Sequence, residues 1–336
     1  MLRMADRPIT VITHRVFSET ISILQDWTDL RLNEGETSWP GVEVRRLCRD
    51  ASAMMAFMPD TVDETFLKNC PNLKIVACAL KGYDNFDVDA CTRRGVWITI
   101  VDDLLTIPTA ELAVGLLIGI ARHVKTGDHL IRNGEFNAWR PNLYGMGLSS
   151  RTVGIIGMGK VGQAIAQRLR GFETELIYAD VQALNPITEV TLGVTRTSFE
   201  GLIGRSDYTI IATPLNAETL HLIDASAIRI MKPGAILVNP GRGSVVDEEA
   251  VSSALSDGLL AGYAADVFEF EDWARTDRPK SIPESLLSQS ECTLFTPHIG
   301  SAVVEVRKAI EAQAAASILE ALRGKRPTGA INDVET

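Results

Sequence analysis

Thr152-Val153-Gly154-Ile155-Ile156-Gly157-Met158-Gly159-Lys160-Val161-Gly162 decides how the rest of the chain is read. The apolar, β-branched run over 152–156 predicts a strand, and the run over 163–169 predicts a helix, so the glycines lie on a strand-to-helix turn. A glycine-rich turn by itself carries little information. In this setting each glycine has a task. Gly157 allows the tight turn, Gly159 lets backbone approach a pyrophosphate, and Gly162 permits close helix–strand packing. The helix N-terminus, with Lys160 and Val161, offers amide donors to the anion. Asp180 follows the next predicted strand, 176–179, and lies 18 residues after Gly162, where a carboxylate accepts hydrogen bonds from ribose hydroxyls. It would repel a 2′-phosphate, and Val181 brings no compensating cation. The expected cofactor is therefore NAD, not NADP.

Outward from this loop the pattern repeats. Strands are predicted over 9–13, 53–57, 75–79 and 96–100, then over 152–156, 176–179, 208–212, 235–238, 263–267 and 293–295. Helical stretches alternate with them, the arrangement of an α/β protein with parallel sheets. A long helical stretch is predicted over 109–132, with Pro108 before it and Gly134 after it. A last helix is predicted over 302–322. The 336 residues favour two domains.

Composition narrows the functional classes. Hydrophobic residues make up 46% and charged residues 23%, which excludes wholesale disorder, collagen and coiled coil. The longest apolar run, 112–121, is short of the roughly 20 residues that span a bilayer. Residues 1–15 show no targeting pattern. Five cysteines (Cys48, Cys70, Cys78, Cys91, Cys292) form no close pair and read as thiols of a reducing compartment, with the cytoplasm as the default. No metal site is expected. The net charge of −10 and the lack of a basic run argue against a nucleic-acid surface. An anionic substrate would need local cations to capture it against that field.

Three segments after predicted strands carry such chemistry. Asn239-Pro240-Gly241-Arg242-Gly243-Ser244 places an arginine between glycines, suited to bidentate recognition of a carboxylate or oxyanion. Residues 264–272 hold four acids, among them Asp266 and Glu271. Thr296-Pro297-His298-Ile299-Gly300-Ser301 supplies a histidine. A His298–Glu271 pair would make an acid–base catalyst, the carboxylate stabilising the imidazolium. The other histidines, His14, His123, His129 and His221, read as structural or surface residues.

Taken together, the glycine loop with Asp180, the Arg242 loop, Glu271 and Pro297-His298 resemble the D-isomer-specific 2-hydroxyacid dehydrogenase superfamily over nearly the whole chain. The resemblance implies two Rossmann-like α/β domains with a cleft between them. It assigns 104–296 to a central NAD-binding domain, and 1–103 with 297–336 to a discontinuous substrate domain. It implies an Arg242–Glu271–His298 catalytic set. It also implies that Pro214, Pro240 and Asp266 lie with the cofactor, and that two copies form a homodimer through the apolar region 109–132. Within the superfamily, Met54 to Asp60, Ala79 to Asp87 and Tyr263 to Arg275 look most like the phosphite (phosphonate) dehydrogenase branch. Two positions depart from that branch, Phe270 for Met and Gly241 for Cys. That likeness implies Lys81 as a phosphite-holding cation, Met58 and Arg307 as pocket residues, and oxidation of phosphite to phosphate with NADH formation. A D-2-hydroxyacid substrate and a corepressor-like NAD-binding protein are the alternatives.

Overall fold

The computed structural model describes residues 7–334. They form two compact units: 7–105 with 273–276 and 302–334, and 106–272 with 277–301.

The first unit holds a parallel sheet of β1 (Ile9–Ile12), β2 (Asp29–Leu32), β3 (Ala53–Ala56), β4 (Ile75–Cys78) and β5 (Trp97–Thr99) in the order β2-β1-β3-β4-β5. Alternate residues of its strands go to opposite faces, as the two-residue period of a strand requires. Val76 and Cys78 join one core layer, while Ile75 and Ala77 join the other, against Ile310, Ala314 and Ile318 of the helix Val304–Leu322.

The second unit holds β6 (Thr152–Ile156), β7 (Glu175–Ala179), β8 (Val194–Arg196), β9 (Tyr208–Ile211), β10 (Ala235–Asn239), β11 (Leu260–Ala265) and β12 (Thr293–Phe295), all parallel, in the order β12-β11-β10-β9-β6-β7-β8. The order reverses between β6 and β9, and open α/β sheets bind ligands at such a switch point, beyond the carboxyl ends of the strands. Every segment singled out above as functional in this unit follows the carboxyl end of one of these strands.

Two short edge strands, β2 and β8, go beyond the strands the sequence pattern predicts. Both are too short to stand out: Asp29-Leu30-Arg31-Leu32 alternates polar and apolar over only four residues, and Val194-Thr195-Arg196 has a single apolar residue. The stretch 109–132 is not one helix but two, Thr106–Ala121 and Val124–Arg132, broken at His123, whose φ of +52° is left-handed. With the short turn before it, the first of these makes a 19-residue helical stretch, Asp103–Ala121, apolar and long enough to cross a membrane by those criteria alone. In the fold, Ala113, Leu116, Leu117 and Ile120 of that helix join the core, and the helix packs on β10, β11 and β12. No disulfide links the cysteines: all five are free, four of them buried. Among the described residues no group of acids, histidines and cysteines could hold a metal ion.

Candidate active site

The glycine loop has the backbone its sequence demands. Gly157 sits at φ +90°, where a side chain is strained. A Cβ on it would lie 2.7 Å from the Ala212 carbonyl oxygen, and one on Gly162 would lie 2.1 Å from the Gly157 oxygen. Gly159 caps the helix Lys160–Leu169 without any side-chain cap bond, and the space a Cβ would fill there is open. The leading amides of that helix are thus turned toward a space an anion can enter. Lys160 is exposed, whereas Val161 packs on the core and leaves its main chain for a ligand. Asp180 ties the loop to the end of β7. Its Oδ2 accepts from Met158 N at 2.6 Å and its Oδ1 from Gln182 N at 2.8 Å. Pro214 follows β9 across the switch point, its carbonyl accepting from Thr219 Oγ1 at 2.7 Å. A cradle only glycine can form, an uncapped helix start and a strand-end carboxylate fit a dinucleotide.

The catalytic candidates are built on β10, β11 and β12. Past β10, the Asn239 side chain shapes the turn through Pro240: its Nδ2 donates to the Arg242 carbonyl at 2.9 Å and its Oδ1 accepts from Gly241 N at 3.1 Å. Arg242 Nη1 donates to the Gly241 carbonyl at 3.0 Å. Gly243 lies against the main chain of Phe268, where a Cβ would come within 1.9 Å of a carbonyl carbon. That contact locks the arginine loop to the segment carrying Glu271, and Ser244 N donates to Asp272 Oδ2 at 2.7 Å to strengthen it.

Glu271 and His298 meet. Glu271 Oε2 is 2.8 Å from His298 Nδ1, and Oε1 accepts from Phe268 N at 2.9 Å. A carboxylate at Nδ1 selects the tautomer with its proton there, which turns Nε2 to the reaction. His298 itself stands at φ +55°, left-handed for a non-glycine residue. Its loop is pinned by Asp266: Oδ1 accepts from Thr296 Oγ1 at 2.6 Å and from Ile299 N at 2.8 Å, and Oδ2 accepts from Gly300 N at 2.7 Å. Burial pushes the Asp266 carboxyl up, and these donors together with the nearby His298 pull it back. Both Asp266 oxygens are therefore occupied in holding the histidine.

The sequence reading missed a second His–Glu pair. His221 Nε2 lies 2.7 Å from Glu269 Oε2, and the His221 amide donates to the Ser244 carbonyl at 2.8 Å. His221, also left-handed at φ +48°, thus joins the arginine loop to the short helical turn Glu269–Glu271. Glu269 and the fully buried Glu248 exchange main-chain bonds: Glu269 N donates to Glu248 Oε1 at 2.8 Å, and Glu248 N donates to Glu269 Oε1 at 3.2 Å. Only the crowding of acids over 266–272 hinted at this network. Nothing around His221 marks it in the sequence.

Burial pushes the Glu248 carboxyl from an ordinary 4.5 up to about 8, and the nearby carboxylates of Glu269, Asp272 and Glu271 push the same way. A group raised on folding stabilises fully below its unfolded value, and the contribution is lost as pH rises toward the folded value. The wild type is expected to lose stability by up to about 1.4 kcal/mol per pH unit across that window from this group. Glu248→Gln keeps the shape and should flatten the slope. Urea unfolding at several pH values checks this, and an unchanged slope in the variant would reject the assignment.

The first unit carries the remaining candidates. Arg307 Nη1 donates to the Ala79 carbonyl at 3.4 Å, and its guanidinium lies 5.9 Å over the Phe57 ring. Burial lowers its pKa. It also helps lower that of His14, whose desolvation is the larger cause and whose ring packs 5.1 Å from Phe57. Met58 is half-buried, and its carbonyl accepts from Asn85 Nδ2 at 2.8 Å. Lys81 forms an ion pair with Asp103.

A dinucleotide loop at the switch point of a parallel sheet, with an arginine and a His–Glu pair beyond neighbouring strands, defines an NAD-dependent oxidoreductase. Comparison with known proteins gives the family. The D-isomer specific 2-hydroxyacid dehydrogenase, NAD binding domain, matches residues 114–300. A glyoxylate reductase of Pyrococcus furiosus is 36% identical over 97% of this chain and 96% of its own length, and one of Aeropyrum pernix is 34% identical over 97% and 96%. The fold matches a crystal structure of a Thermus thermophilus protein at TM-score 0.87, 30% identity and coverage of 96% and 100%. It also matches an NADPH-dependent glyoxylate/hydroxypyruvate reductase of Sinorhizobium meliloti, in complex with NADP and malonate, at TM-score 0.83, 28% identity and 97% coverage of each chain. The chain belongs to the D-isomer-specific 2-hydroxyacid dehydrogenase family and carries its NAD-binding domain.

These relatives correct the expectation of phosphite oxidation. Full-length relatives at 33–36% identity are glyoxylate reductases. Lys81, on which the phosphite reading leaned, has a carboxylate partner within its own unit, so a lysine at this position does not by itself mark a phosphite site.

Proposed function

We propose that this protein is a D-2-hydroxyacid dehydrogenase of the glyoxylate reductase type, reducing a small 2-oxo acid to its 2-hydroxy acid with NADH, and reversing that reaction. The observation that carries the reading is the His298–Glu271 pair beside the Arg242 loop. Arg242 holds the substrate carboxylate through paired N–H donors and polarises the adjacent carbonyl. His298 Nε2, protonated, donates to the carbonyl oxygen as it becomes a hydroxyl, and in reverse takes that proton away. Glu271 stabilises the imidazolium and fixes its orientation, and Asp266 positions the loop that presents it. The bound cofactor supplies the two-electron redox chemistry. Its pyrophosphate is assigned to Gly157, Gly159, Lys160, Val161 and Gly162, its ribose to Asp180, and Pro214 and Pro240 border it.

Hydroxypyruvate incubated with NADH should yield D-glycerate on chiral chromatography, and L-glycerate, or no product from any small 2-oxo acid, would overturn the reading. We also infer a cytoplasmic homodimer. The exposed Phe136, Trp139 and Tyr144 follow the helix Val124–Arg132 and are suited to cover by a second copy. A monomer in sedimentation at micromolar concentration would contradict it.

A further inference from the structure

The ribose end of the cofactor site holds a cation that Val181 does not supply. Arg196 ends β8, whose register sets it opposite Tyr178 of β7. From there its guanidinium reaches the turn after β7: Nη2 donates to the Asp180 carbonyl at 2.8 Å and to the Val181 carbonyl at 3.4 Å. The side chain is exposed. An arginine carries five N–H donors in a planar fork, and no partner for Nε or Nη1 is found among the described residues. The Asp180 carboxylate is meanwhile occupied by Met158 N and Gln182 N, on the side of the turn facing the glycine loop.

We infer that Arg196 is a second determinant of cofactor choice, a cation at the ribose that offsets the negative charge of Asp180 and can pair with a 2′-phosphate. This rests on the dinucleotide reading of the loop. Asp180 alone presents one negative charge to a phosphorylated ribose. With Arg196 anchored on the carbonyl of that same residue, the local charge is close to neutral. Discrimination against NADPH is then shallower than Asp180 alone would produce, and one substitution at Asp180 suffices to invert it, with no cation added at Val181.

The test reads binding, not turnover. Dissociation constants for NADH and NADPH are measured by quenching of protein fluorescence for the wild type, Arg196→Gln, Asp180→Asn and the double variant. Arg196→Gln should weaken NADPH about threefold to tenfold, as expected for loss of one exposed charge-assisted contact, and NADH less than about twofold. Asp180→Asn should tighten NADPH by about tenfold or more, a gain the double variant should largely lose. Arg196→Lys should restore part of it. If Asp180→Asn tightens NADPH equally in the wild-type and the Arg196→Gln backgrounds, the inference is overturned while the dinucleotide site stands. If the wild type binds neither nucleotide, the site reading and the inference fall together.

Discussion

Replacing His298 by asparagine should lower kcat for 2-oxo acid reduction by about two to four orders of magnitude, the usual contribution of a positioned acid–base group. Asparagine is chosen over alanine because His298 stands at φ +55°, a region asparagine tolerates far better than most residues. The side chain then loses its imidazole nitrogens while the loop pinned by Asp266 keeps its path. NADH affinity should hardly change, because the proton-transfer group is separate from the glycine loop. Glu271→Gln should give a smaller loss with a diagnostic signature. Losing the carboxylate at Nδ1 removes the partner that stabilises the imidazolium and fixes the ring, so kcat should fall while NADH affinity holds. A His298→Asn enzyme retaining a tenth or more of wild-type turnover would rule out the assigned role.

Arg242→Met should cost about two to four orders of magnitude in kcat/KM. Two charge-assisted hydrogen bonds to a carboxylate are worth roughly 1.5–3 kcal/mol each, and each 1.4 kcal/mol is tenfold. Methionine keeps much of the length and apolar stem. The Asn239 side chain and the Gly243–Phe268 contact hold this loop by the main chain of residues 241–243, so the loop should survive. KM should rise and kcat should fall together, because the guanidinium is assigned to both the ground-state carboxylate and the charge developing on the carbonyl. Wild-type kinetics on glyoxylate would remove Arg242 from the site.

The sequence made the second unit legible because its chemistry is local. A strand, three glycines and a strand-end acid lie within one βαβ unit, so Gly157, Gly162 and Asp180 could be assigned from spacing. Arg242, Glu271 and His298 each follow an apolar strand, and a parallel sheet brings the carboxyl ends of β10, β11 and β12 together. Their pairing could be hoped for but not seen, since 27 residues separate Glu271 from His298. What stayed hidden was long-range and polar. The His221–Glu269 bond spans 48 residues, and Arg196 sits on an edge strand too short and polar to announce itself. The break at His123 was hidden too, because Arg122-His123 interrupts the apolar pattern without a proline or glycine. Substrate identity was the hardest reading of all. It leaned on one lysine, and an ammonium within reach of Asp103 has a structural use that sequence cannot distinguish from an anion site.

The most direct test of the substrate reading is a side-by-side steady-state assay of the purified wild-type chain, following NADH absorbance with glyoxylate or hydroxypyruvate in the reducing direction and with D-glycerate or phosphite in the oxidising direction. NADH consumption on the 2-oxo acids, with NADH formation on D-glycerate and none on phosphite, is the predicted result. Rapid NADH formation on phosphite, with the 2-oxo acids inert, would contradict the account.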